Sequence, residues 1–407
     1  MKQLLRRGGA LCLILLLCAA VLAPASAAED QGAGALTILF THDTHDRFLP
    51  VPDEEGGEYG GYTRLATLLR QERAAAETPV VTLDAGDFSM GSLFQTIYAT
   101  DAPELRALGQ MGYDVTTLGN HEFDYRARGL AEMLGAAVDS GDRLPAVVQA
   151  NYKPPAGDGA TRAAWENYGI GDYVVLERDG VRVAVFGLLG VDADECAPMS
   201  GMEFTPLAQA AQRVVETIQA QEAADYIVCL SHSGTTDGKG EDYELAKAVD
   251  GIDVIISGHT HSATQEPIRV NDTLIVSCGE YTRNLGVLTV EKTGEGLDTL
   301  DFRLVPIDET VTEDAAMTAM ARRFQQKVDE GYLAGFGLSF HQVLCESAFA
   351  FTPIRRFAQQ QQEDPLGSLI ADSYVYAVEQ AEGEDYRTVD FAVVAAGVVR
   401  ASFAAGE

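Results

Sequence analysis

Five apolar runs in this chain end in side chains that bind metals or move protons. Residues 36–40 give way to Thr41-His42-Asp43-Thr44-His45, and 80–83 to Asp84-Ala85-Gly86-Asp87. Residues 115–118 lead into Gly119-Asn120-His121-Glu122-Phe123-Asp124. Residues 227–230 run into Ser231-His232-Ser233-Gly234, and Ile255-Ile256 into Ser257-Gly258-His259-Thr260-His261. Of the seven histidines, only His341 lies outside these stretches. A single histidine at a strand end is ordinarily a hydrogen-bonded structural residue, and Asn and Asp are common in turns and caps. Random placement does not easily give five such ends. The set offers carboxylates, imidazoles and an amide oxygen but no thiolate, which argues against a closed structural zinc site. It suits Zn²⁺, Mn²⁺, Fe²⁺ or Co²⁺. The candidates are too many for one ion and fit two divalent ions, about 3.5–4 Å apart and sharing a carboxylate, as in metal-assisted hydrolysis. Asp43 and His45 would face the same way off an extended segment, as would His259 and His261. Gly86, Gly119 and Gly258 beside them permit tight turns and close approach.

To gather these ends, the runs must be strands whose carboxyl ends share an edge, where α/β sheets place their ligands. Strand-like runs recur at 36–40, 80–83, 115–118, 146–150, 173–176, 181–189, 226–230, 254–256, 274–276, 285–290 and 300–305. Helical periodicity covers 65–76, 105–111, 130–137 and 207–220. Early β–α alternation followed by hairpin-like pairs predicts a mixed α/β fold. Asp179-Gly180 is the turn signal of one such hairpin. A further helix is predicted over 315–328, with Thr312 or Asp314 near its start, and Gly331, Gly335 and Gly337 break the pattern. That places a domain boundary at 335/336.

Residues 1–28 read as a cleaved signal peptide. Lys2, Arg6 and Arg7 precede the apolar stretch 11–23, and Ala25-Ser26-Ala27 is a small-residue cleavage site. The stretch is too short to span a bilayer comfortably, so the mature chain is expected to be exported, without a membrane span. The formal net charge is −32; the leader holds three basic residues and no acidic one, so its loss deepens the charge to −35. Such acidity repels nucleic acid and anionic membrane, which excludes nucleic acid as the expected partner. Cys196, Cys229, Cys278 and Cys345 remain after the leader, with no CxxC pair. Cys229 and Cys278 sit in apolar runs, where cysteine acts as a small buried hydrophobe, and no disulfide framework is indicated.

The five blocks, in order, resemble the D-x-H, G-D, G-N-H-E/D, S-H and G-H-x-H/Q motifs of the exported 5′-nucleotidase family of calcineurin-like metallophosphoesterases. That group includes 5′-nucleotidases, UDP-sugar hydrolases and 2′,3′-cyclic phosphodiesterases. The resemblance covers roughly residues 34 to 335 well. It implies a four-layer α-β-β-α metallophosphoesterase sandwich over residues 29–335, including a linker helix near 312–334. An incomplete α+β nucleotide-binding domain, apparently truncated, would follow over 336–407. Carried over by position, it implies that Asp43, His45, Asp87 and His261 hold one metal ion and Asp87, Asn120, His232 and His259 a second. His121 would stay off the metals, near the scissile phosphate with Asn120, stabilising developing charge or protonating the leaving oxygen. Asp124, three residues on, would orient His121. Water activated by the ions would attack phosphorus in line, without a covalent phosphoenzyme. Asp84 reads as structural, His42 as core or a support to the ligands, and Glu122 as a local cap. The acidic stretch Asp192-Ala193-Asp194-Glu195 reads as a solvated loop or a weak cation site.

The 363–372 stretch resembles the family's E-T-N-L-G-N-L-I-A-D-A block, and 390–400 its strand ending in N-G-G-x-x-R. Two departures matter. Gln360, Gln361 and Gln362 stand where the family has a phosphate-contacting arginine, and Ala395 replaces the asparagine of N-G-G. Arg400 is retained and is the expected phosphate contact. The leading functional expectation is a 5′-nucleotidase acting on a small nucleotide substrate with two divalent ions (Zn, Mn, Fe or Co). A 2′,3′-cyclic-nucleotide phosphodiesterase with 3′-nucleotidase activity, or a UDP-sugar hydrolase, comes next. A catalytically inactive exported binding protein is the alternative from another class.

Overall fold

Along the central strands consecutive buried residues belong to different cores. Ile38 packs in one cluster and Leu39 in another, and Val228 and Cys229 divide in the same way. This period of two with both faces apolar is what strands between two layers require. The computed structural model describes residues 34–53, 57–294, 296–353, 356, 363–395, 399 and 402–403. The signal-peptide stretch, Gln360–Gln362 and Arg400 fall outside the described residues.

Twelve strands form two six-stranded sheets. In chain order they are β1 (Leu36–Thr41), β2 (Val80–Asp84), β3 (Val115–Thr116), β4 (Ala146–Val147), β5 (Tyr173–Arg178) and β6 (Val181–Leu189). The rest are β7 (Tyr226–His232), β8 (Val254–Ser257), β9 (Ile268–Val270), β10 (Thr273–Val276), β11 (Asn284–Thr293) and β12 (Gly296–Pro306). The first sheet runs β12-β11-β1-β2-β3-β4 and the second β9-β10-β8-β7-β6-β5. Four adjacent strands of each sheet pair in parallel: β1 to β4 in the first, where β4 is the edge, and β6, β7, β8 and β10 inside the second. The predicted hairpin is β5–β6, with Asp179 and Gly180 both left-handed at φ 50° and 86°. That is the backbone a two-residue turn between twisted strands needs.

One apolar cluster, including Ile38, Phe40, Val183, Val228 and Ile256, lies between the sheets. Helices cover the outer faces. The helices of the described residues are α1 (Tyr62–Ala75), α2 (Tyr98–Asp101), α3 (Pro103–Met111), α4 (Arg126–Ser140), α5 (Gly159–Tyr168), α6 (Val191–Cys196), α7 (Leu207–Gln221), α8 (Glu241–Ala248), α9 (Ala315–Gly331) and α10 (Pro365–Glu382). Residues of α1, α3, α4 and α9 pack on the first sheet, and those of α7 and α8 on the second. The result is the α-β-β-α sandwich. Asp314 caps α9, its carboxylate accepting from Ala316 and Met317 N–H groups. Leu338 and Phe340 still pack against the first helical core, a few residues beyond the expected boundary. Further on, α10 leaves Leu369, Tyr374 and Tyr376 exposed.

The acidic stretch after residue 191 is the helix α6 rather than the expected loop. Among the described residues no helix is long and apolar enough to cross a membrane.

Candidate metal centre

Strand register brings the motif-bearing ends level. Thr41 of β1 lies opposite Asp84 of β2, and Asp84 opposite Thr116 of β3. The buried Asp84 carboxylate accepts from the hydroxyls of Thr41 and Thr116, each at 2.8 Å, and from Gly86 N–H at 3.1 Å. It staples three strand ends rather than facing the site. Burial pushes its carboxyl up to about 6, against these donors. In the second sheet Ser231 pairs with Ser257, so His232 and the loop 258–261 leave the sheet side by side.

The loops then turn sharply. Asp43, His45, Asp87, His259 and His261 all have left-handed backbones, at φ 49°, 47°, 52°, 74° and 55°. The expectation that Asp43/His45 and His259/His261 project from extended segments is therefore incorrect. Left-handed backbone is unfavourable for residues with side chains and concentrates at functional sites, where the surroundings over-determine it. The surroundings here are close. A Cβ on Gly119 would lie 2.1 Å from Asp87 Oδ1, and one on Gly258 would lie 3.0 Å from His232 Nδ1 and 3.2 Å from Asp43 Oδ2.

Asp43, His45 and His261 form one group of candidate ligands, and Asp87, His232 and His259 another. In the first, Asp43 Oδ1 is 3.4 Å from His261 Nε2 and 3.8 Å from His45 Nε2, and the two Nε2 atoms are 3.0 Å apart. In the second, His232 Nε2 is 3.2 Å from Asp87 Oδ2. His45, Asp87 and His121 make a third close group, so Asp87 belongs to two of the three.

The outer atoms of these side chains are already engaged. His232 Nδ1 donates to the Ala85 carbonyl at 2.9 Å and His45 Nδ1 to the Ser89 carbonyl at 3.2 Å, which turns both Nε2 lone pairs inward. Asp43 Oδ2 accepts from His42 Nδ1 at 2.5 Å and from His259 N–H at 2.9 Å. His42 Nε2 in turn accepts the Cys278 N–H at 2.8 Å, which leaves a proton on Nδ1 to support Asp43. What remains is Asp43 Oδ1, Asn120 Oδ1 and His232 Nε2, all buried and without a hydrogen-bond partner. Buried polar atoms are rarely left orphaned. An oxygen, oxygen and nitrogen set of this kind fits a divalent cation.

The electrostatics agree with that fit. Burial drives the His45 imidazole down to about 3, keeping it neutral as a metal ligand must be. Burial also opposes ionisation of Asp43, yet His261, His42 and His232 hold it well below the usual carboxylate range. Asp87 is likewise low, because His232 and His121 outweigh its burial. Asp87 and Asp43 raise His232 to about 10 in spite of its burial. A cation among these groups would take the place of that proton.

His121 N–H donates to Asp87 Oδ1 at 2.9 Å, and His121 Nδ1 lies 3.1 Å from Asp124 Oδ2. Burial lowers the His121 pKa, but Asp87 and Asp124 more than offset it, and the net direction is up. Glu122 is more than a local cap. Its buried carboxylate accepts from Gly119 N–H at 2.6 Å, Asp87 N–H at 3.0 Å, Ser89 N–H at 3.0 Å and the Ser89 hydroxyl at 2.9 Å. It clamps the Asp87 loop to the Asn120 turn. The sequence left Asp192 in a solvated loop or weak cation site and gave no link to His259, yet its Oδ2 lies 2.8 Å from His259 Nε2. The signal was present: residues 181–189 are an apolar strand followed by Gly190 and an acid, the pattern of the other five ends.

A Calcineurin-like phosphoesterase model matches residues 36–263, more than half of the chain. The chain belongs to that family, whose members are hydrolases that bind divalent metals. Its relatives include proteins named nucleotide phosphoesterase and 5′-nucleotidase. The trifunctional nucleotide phosphoesterase YfkN of Bacillus subtilis is 28% identical over 410 residues, a match covering 93% of this chain and 26% of that protein. A probable 5′-nucleotidase of Treponema pallidum is 32% identical over 243 residues, 57% of this chain and 38% of that one. The chain therefore spans well under half of either relative. Among solved structures, the 5′-nucleotidase precursor from Thermus thermophilus superposes with a TM-score of 0.68 at 25% identity, covering 86% of this chain and 68% of that one.

Proposed function

We propose that this chain is an exported, dinuclear-metal phosphoesterase that hydrolyses nucleotide phosphate esters, of the 5′-nucleotidase type. The observation that carries the reading is Asp87, a buried carboxylate that stands in one close ligand group with His232 and His259 and in another with His45 and His121. In this reading Asp43, His45, Asp87 and His261 hold one ion, and Asp87, Asn120, His232 and His259 the other. Bound there, the ions supply a lowered water pKa and neutralisation of the phosphate oxygens.

The chain's own groups do the rest. His121 is held by Asp124 on one side and by its N–H bond to Asp87 on the other. It keeps its proton for the leaving oxygen or for the charge that develops there. His42 and the Ala85 and Ser89 carbonyls fix the rotamers of the ligands, so little reorganises on substrate binding. In this reading residues 29–335 are the catalytic domain and 336–407 part of a nucleotide-binding domain, with Arg400 the residue expected to contact phosphate.

Relatives named 5′-nucleotidase support the leading substrate class. The match to a trifunctional nucleotide phosphoesterase over nearly the whole chain supports nucleotide esters as the broader substrate class, and 2′,3′-cyclic phosphodiesterase with 3′-nucleotidase activity, or UDP-sugar hydrolase, is the second reading. The replacements at Gln360–Gln362 and Ala395 weaken the case for an ordinary 5′-nucleoside monophosphate. Turnover of AMP, 2′,3′-cyclic AMP and a UDP-sugar, compared in one assay with Mn²⁺ or Zn²⁺ added, separates these. AMP is expected to turn over fastest. Folded protein without turnover of any of them, with either metal, overturns the enzyme reading.

A further inference from the structure

A second cluster of mixed ligands stands at the rim of the centre. α6 places Asp192 and Cys196 four residues apart, and so on one face. With His259 they offer three ligand atoms within 4.8 Å of one another, and Asp192 Oδ2 already meets His259 Nε2 at 2.8 Å. The start of α6 is tied down. Glu241 accepts the N–H groups of Val191 and Asp192 at 2.8 and 3.0 Å, and Gly190 N–H donates to the His232 carbonyl at 2.8 Å. Asp192 and Cys196 are exposed, whereas the His259 side chain is 10% exposed. The cluster thus opens to solvent on one side and reaches the metal centre on the other.

We infer that Asp192, Cys196 and His259 form a third cation site, suited to soft divalent ions such as Zn²⁺ or Cd²⁺, whose filling draws His259 away from the dinuclear centre. The ligand chemistry carries the selectivity. The centre offers only oxygen and nitrogen, while the rim cluster adds sulfur, which favours Zn²⁺ or Cd²⁺ over Mn²⁺ or Mg²⁺. As the metal–sulfur bond forms, the thiol proton leaves to solvent. Excess zinc therefore inhibits through this site, and excess manganese does not. The inhibitory consequence rests on the reading of His259 as a ligand of the centre; the site itself does not.

The test uses the full chain titrated with Co²⁺, followed by the near-ultraviolet charge-transfer absorption of cobalt bound to thiolate. That band is expected in the parent and in Cys345→Ser, and is absent in Cys196→Ser. Excess Zn²⁺ should lower turnover of the parent at least tenfold more than that of Cys196→Ser, while excess Mn²⁺ treats the two alike. A parent protein without the band, a band that survives in Cys196→Ser, or equal zinc inhibition of both proteins overturns the inference. Turnover before excess metal reports on the phosphoesterase reading separately, and the absorption reports on the site whether or not the protein turns over.

Discussion

Removing the Glu122 carboxylate should loosen the centre without touching a metal ligand. Its two oxygens accept four donors from two loops, and three of those donors are buried backbone N–H groups, of Gly119, Asp87 and Ser89. Each buried donor left unmatched costs about 1–3 kcal/mol. Glu122→Ala orphans all three, so a loss of roughly 3–6 kcal/mol in unfolding free energy is expected, the range allowing for local relaxation. Glu122→Gln is a milder change with a definite geometry. The amide oxygen can keep the Asp87 and Gly119 bonds while its NH₂ faces Ser89. The Ser89 hydroxyl can rotate to accept, which leaves only the Ser89 N–H unmatched, at about 1–3 kcal/mol. Because the clamp sets the spacing of Asp87 and Asn120, metal affinity should fall about 10–100-fold in the alanine variant, as for other groups that support ligands. Denaturant unfolding and a chelator competition titration measure the two quantities. An alanine variant that loses less than about 1 kcal/mol, or no more than the glutamine variant, refutes the clamp.

Three other outcomes follow from the site. His121→Ala should cut kcat by about 10²–10⁴-fold with metal content unchanged, and loss of metal would make His121 a ligand instead. Asp124→Asn removes one of the groups that raise the His121 pKa, so that pKa falls. The protonated imidazole is then lost at lower pH as pH rises, and the alkaline limb of the kcat profile should move down; an unmoved limb counts against the orienting role. Gly119→Ala places a Cβ 2.1 Å from Asp87 Oδ1 and should lower both metal content and activity, where full metal loading would show that the turn can yield.

The layers of the fold were legible because the strand and helix periods are strong. Both faces of the central strands are apolar, and Asp179-Gly180 between two apolar runs is a strong signal for a tight turn. The chemistry was legible because the same residue types recur at strand ends. The local geometry was not. The left-handed backbones at Asp43, His45 and His261 depend on contacts with residues distant in the chain, such as the Tyr281 N–H that donates to the Asp43 carbonyl at 2.8 Å. Glu122 was undervalued for a similar reason, since two of its donor residues lie 33 and 35 positions away. Asp192 could not be tied to His259, because a run of acids reads as a solvated surface or weak cation site until a histidine from another strand is beside it.

The central claim is that one carboxylate joins two metal ions. Elemental analysis of metal per chain, in the parent and in Asp87→Ala, tests it most directly. Two ions per chain in the active parent, and loss of metal together with turnover in Asp87→Ala, are the results predicted. An Asp87→Ala protein that still holds two ions would contradict it.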